Sequence, residues 1–112
     1  MATKQTKLVV PKLVLTKAAV KEYLQSGLKK KFKTNDGDEC LIARFLNSQL
    51  PKSMRAQVDE KIIVILQKSN EANELKQWKT PAWMATFIQK FDNIHGEETI
   101  MTGKQIVEAG IL

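Results

Sequence analysis

A chain of 112 residues, 43% apolar and 27% charged, is one domain's worth of sequence, long enough to bury a core without a disulfide or a metal. Its single cysteine, Cys40, excludes an intrachain disulfide and a four-cysteine zinc module, and no apolar run approaches the roughly 18 residues of a membrane span. The net charge of +6 is uneven: residues 1–33 hold nine lysines against Glu22 alone, while residues 34–112 sum to −2.

Residues 1–15 also lack a signal-like apolar segment, so the expectation is a soluble protein of the cytoplasm or nucleus with no membrane partner. Within them, residues 1–7 are polar, basic and expected to fray. Leu8-Val9-Val10 and Leu13-Val14-Leu15 flank Pro11-Lys12, and the proline biases Val10 toward extended backbone. Residues 1–15 therefore read as an extended basic arm, laid across the body or paired with a second subunit, and residues 16–112 as a single helical domain.

Thr16 is a hydroxyl N-cap for a helix over Lys17–Ser26, with Val20, Tyr23, Leu24 and Leu28 as its apolar stripe. The lysine cluster Lys29-Lys30-Lys31-Phe32-Lys33 leads into a turn at Thr34-Asn35-Asp36-Gly37-Asp38-Glu39. Asp36 or Asp38 would then cap a helix from Glu39 to Gln49, with Leu41, Ile42, Phe45, Leu46 and Leu50 inward.

Pro51 and the run Met54–Gln67 predict the central element. Val58, Ile62, Ile65 and Leu66 fall at i, i+4, i+7 and i+8, one stripe of a helix near residues 52–67 covered on more than one side. The β-branched run from Ile62 to Ile65 also fits a buried strand, but the span between Pro51 and Ser69-Asn70 suits a helix better. Lys68–Thr80 reads as a polar loop anchored by Leu75 and Trp78. Thr80-Pro81 opens a helix to about Asp92 carrying Met84, Phe87, Ile88 and Phe91. Thr102 caps a last short helix from Gly103 to Glu108, closed by Gly110. The predicted class is mainly α: four to five short helices around the central one, with the arm outside.

No pattern carries catalysis. His95 and Cys40 are the sole members of their types, and nothing in their spacing supports a nucleophile–base pair or a zinc site. The stretch from Asn35 to Glu39 lacks the alternating ligands and closing glutamate of a calcium loop, and Thr102-Gly103-Lys104 lacks the earlier glycine of a phosphate loop. Glu97-Glu98 is a solvated linker. Neither enzyme, metal nor cofactor is expected.

Two binding functions remain. In the leading one, a small nucleic-acid-associated protein touches phosphates through Lys17, Lys21, Lys29, Lys30, Lys31 and Lys33. Lysine in place of arginine argues for backbone contact without strong base specificity. Phe32 is assigned to the core rather than to a stacked base. In the other, a protein-binding regulator or assembly subunit meets an acidic partner or a second copy of itself. Its interface would be the arm residues Leu8, Val10, Leu13 and Leu15, or the Trp78 and Trp83 surface.

Overall fold

A computed structural model describes residues 9–112, which form α1 (Lys17–Gln25), β1 (Lys31–Lys33), α2 (Leu41–Asn47), β2 (Met54–Val58), β3 (Ile62–Gln67), β4 (Asn70–Lys79), α3 (Ala82–Asn93), β5 (Ile100–Thr102) and α4 (Gly103–Ala109). The class is mixed α/β, which corrects the expectation of a mainly helical bundle. One antiparallel sheet has the order β2-β3-β4, and β1 pairs with β5 in a second.

The central helix expected near residues 52–67 is a β-hairpin. Its turn is built by Asp59, whose Oδ1 accepts from the backbone N–H groups of Lys61 (2.7 Å) and Ile62 (2.8 Å). An aspartate side chain closing a turn over its own next residues reverses the chain where a helix would run straight. The alternation in β2 is period two: Met54, Ala56 and Val58 are buried, Arg55 and Gln57 half-buried. Met54 N–H donates to Pro51 O at 3.1 Å, so Pro51 starts a turn rather than a helix.

In β3 both faces are buried. Ile63 and Ile65 point into the core opposite Val58 and Ala56. Val64 and Leu66 lie on the other face, flanked in register by Gln57 and Gln77 and by Arg55 and Glu74, whose long side chains shield them. The polar segment Lys68–Thr80, read as a loop, is mostly the edge strand β4, entered through a Lys68-Ser69 turn. Only Leu75 and Trp78 of its ten residues are half-buried. Register breaks beside Leu66 push Glu71, Ala72, Asn73 and Leu75 out of the ladder, and bulges with charges of both signs are a common means of blunting an open edge.

The helix buried nearly all round is α2, with Leu41, Ile42, Ala43, Phe45 and Leu46 inside. Its cap is the Cys40 thiol, which accepts from Ala43 N–H at 3.5 Å. Asp36, expected to cap it, closes the preceding turn by accepting from Asp38 N–H (2.8 Å) and Glu39 N–H (3.1 Å). Helix α3 buries Met84, Phe87, Ile88 and Phe91, as their spacing predicts. Thr80 does not cap it: buried, its hydroxyl donates to Asp59 O at 2.8 Å and ties α3 to the β2–β3 turn. Thr16 caps α1 and Thr102 caps α4 in a capping box with Gln105, closed by Gly110 at φ 65°. Among the described residues no helix is long and apolar enough to cross a membrane.

Residues 9–15 lie extended against this body. Gln49 pairs its side-chain amide with Val14, accepting its N–H at 2.7 Å and donating to its carbonyl at 3.1 Å, while Leu13 enters the core. Truncating Ile65 to alanine is expected to lower stability by about 2–5 kcal/mol in urea unfolding, whereas Ala72→Lys in the bulge changes it by less than about 0.5 kcal/mol.

Candidate functional site

The lysine cluster is shaped by the junction of α1, β1 and α4. After α1 the chain turns at Gly27, with Lys30 N–H donating to Gly27 O at 3.0 Å. Strand alternation in β1 then buries Phe32 opposite Met101 and leaves Lys31 exposed and Lys33 half-buried at the surface. Phe32 is 1% exposed, so it belongs to the core and has no face to offer a base.

The start of α4 docks on the same turn. Gly103 N–H donates to Lys30 O and Lys104 N–H to Leu28 O, each at 2.9 Å. This approach requires glycine, since a Cβ on Gly103 would stand 2.6 Å from Gly27 O and 3.0 Å from Leu28 Cα. Lys104, read from sequence only as part of a helix cap, thereby joins Lys29, Lys30 and Lys31 on one surface. All four side chains are exposed, and no ion pair among the described residues engages them. The Lys30 ammonium lies 4.8 Å from the centre of the Tyr23 ring, a cation–π contact that holds it at the surface. Arg44 extends the surface: its guanidinium donates to Lys31 O and sits 5.2 Å from the Phe32 ring.

The other expected lysines divide off. Lys33 is 3.8 Å from the Glu39 carboxylate. Lys17 is at the opposite end of α1 from the turn, roughly 12 Å along the axis at 1.5 Å per residue. Lys21 borders a cleft between α1 and α4 with Ile106 and Leu112.

Of the residues assigned to a protein interface, Leu8 lies outside the described residues. The rest meet one another. Val10, Leu13 and Leu15 face Trp78 across a groove of about 500 Å3, and Trp83 Nε1 donates to Leu15 O at 3.1 Å. The arm and the two tryptophans, read as separate alternatives, form one internal contact.

A cleft of about 590 Å3 between the Asn35–Cys40 turn, the β2–β3 turn and α3 is acidic, bordered by Asp36, Asp59, Glu60 and Asp92. Three of these carboxylates are spent on backbone amides: Asp36 and Asp59 close their turns, and Asp92 Oδ1 accepts Asn35 N–H at 2.7 Å. That last bond holds Asn35 at φ 55°, a left-handed position asparagine tolerates. Partial burial raises the Asp92 pKa, against the opposing pull of the Asn35 amide, with the nearby Glu60 adding to the rise. Among the described residues no group of three or more His, Cys, Asp or Glu side chains is arranged to hold a metal ion. Cys40 lines the same cleft, and burial pushes its thiol up to about 11, so it is protonated and unreactive at neutral pH.

No family model, curated protein or solved structure matches the chain.

The Cys40 shift has a definite sign. A folded-state value raised from 9.0 to about 11 contributes stability that is complete below pH 9 and is lost as the pH climbs through 11. Between pH 8 and pH 11 the protein is expected to lose about 2–3 kcal/mol more unfolding free energy than Cys40→Ala, measured by denaturant titration at each pH.

Proposed function

We propose that this is a non-enzymatic nucleic-acid-binding protein that holds phosphate backbone on the surface formed by Lys29, Lys30, Lys31 and Lys104. The observation carrying this reading is that two chain segments some seventy residues apart converge, through the Gly103–Lys30 and Lys104–Leu28 backbone hydrogen bonds, to set on one surface four ammonium groups that no ion pair among the described residues engages. Such groups attract polyanions and release condensed counterions on contact. Lysine point charges suit the backbone rather than base edges, so weak sequence preference is part of the proposal. Cys40 offers no exposed nucleophile, since it is buried and its thiol caps α2.

A protein-binding function through the arm and the tryptophans is less well supported. Leu13 is core and Trp83 is already hydrogen-bonded to Leu15, so that surface would have to open first.

Four phosphate contacts give a log–log salt slope near −3.6 on duplex DNA and near −2.8 on single strands. Replacing Lys29, Lys31 and Lys104 with glutamine should flatten the duplex slope by about 2–3 units, and Lys17→Gln should leave it unchanged. Fluorescence anisotropy across a salt series measures this. Absence of binding to any oligonucleotide at about 50 mM salt contradicts the proposal.

A further inference from the structure

The molecule carries a second cleft of nearly the acidic one's volume and of opposite charge. It measures about 570 Å3 and lies between the C-terminal end of α2 and the start of β2. Arg44, Lys52, Arg55 and Lys68 border it, with Tyr23 and Leu50 as apolar wall. Two carboxylates also reach it: Asp38 shares Arg55 with a third acid, and Glu39 lies 3.8 Å from Lys33. That third acid is Glu71, at 2.6 Å from Arg55, so the triad carries one net negative charge, outweighed at this rim by three further cations. Arg44, Lys52 and Lys68 keep their charge, with no ion pair among the described residues.

This cleft is continuous with the lysine surface. Arg44 borders it and donates to the backbone carbonyl of Lys31, so one guanidinium belongs to both. Resting on the nucleic-acid reading above, we infer that the cleft receives one nucleotide of a single strand whose flanking phosphates lie on Lys29, Lys30, Lys31 and Lys104. Shape favours the single strand. A duplex keeps its phosphates on a stiff convex surface and touches a lysine-covered turn from outside. A single strand bends and turns a nucleotide into a recess. The volume falls in the ~300–1,000 Å3 range of pockets that enclose small ligands, and a positive rim against an aromatic and an aliphatic wall suits a phosphate joined to a base. The acidic cleft, with four carboxylates and no cation at its border, repels the same ligand.

The test uses the full chain, a labelled 12-nucleotide single strand, its duplex, a mononucleotide and poly-glutamate as competitors, at low salt. Lys52 and Lys68 are exposed, with side chains in no ion pair among the described residues, so Lys52→Glu/Lys68→Glu is expected to fold, and Lys52→Gln/Lys68→Gln provides a milder second variant. The single strand is expected to bind about tenfold tighter than the duplex; the Glu pair should abolish that preference and weaken duplex binding by less than about threefold. Equal affinity for both forms, with the variants lowering both alike, overturns the cleft assignment and leaves the phosphate-binding surface standing. Displacement of the strand by a mononucleotide at equal concentration makes free nucleotide the ligand and overturns the inference, as does equally effective competition by poly-glutamate. Failure to bind either oligonucleotide overturns the inference and the proposed function together.

Discussion

A strand buried on both faces must find hydrogen-bond partners along both edges, because no water is near to satisfy its amides. β3 is that strand here. Ile63 and Ile65 fill the core on one side, and Val64 and Leu66 are shielded on the other. Its neighbours follow from this need. β2 supplies the first edge through the turn that Asp59 closes, and β4 supplies the second despite having almost no apolar surface of its own. A polar ten-residue strand gains little by burial, so its place in the sheet rests on backbone pairing with β3.

The remaining elements are set by what the sheet leaves uncovered. α2 packs on β2 and touches α1, and Thr80 links the start of α3 to the β2–β3 turn through Asp59. β1 and β5 join the N-terminal half to the C-terminal end, which brings α4 onto the lysine turn. Charge is sorted by the same layout. Carboxylates concentrate where turns need acceptors for backbone amides, at Asp36, Asp59 and Asp92, whereas Lys29, Lys30, Lys31 and Lys104 hold up no turn with their side chains. That difference separates the acidic cleft, whose charges are mostly engaged in structure, from the basic surface, whose charges are available.

Local signals were legible in the chain. Thr16, Thr102 and Gly110 mark helix ends through contacts within a few residues, and Met84, Phe87, Ile88 and Phe91 describe a helix face by spacing alone. The central stretch misled because two patterns coincide. Val58, Ile62, Ile65 and Leu66 fit a helical stripe, yet Met54, Ala56 and Val58 alternate, and Asp59 sits where a turn is needed. The β-branched run from Ile62 to Ile65 was the better guide. β4 was illegible for a different reason: an edge strand polar on both faces has no hydrophobic period to read. The pairing of β1 with β5, and with it the place of Lys104 beside Lys29, Lys30 and Lys31, depends on contacts some seventy residues apart that no local pattern encodes.

The whole arrangement depends on β3 being a central strand, and solution NMR tests that directly. Cross-strand nuclear Overhauser contacts between Ala56 and Ile65 and between Ile63 and Trp78, with the slowest amide exchange in the sheet within Ile62–Leu66, are the predicted result. Backbone contacts from each residue to the third beyond it, continuous from Val58 to Leu66, would mean a helix there and would contradict both the sheet and everything arranged around it.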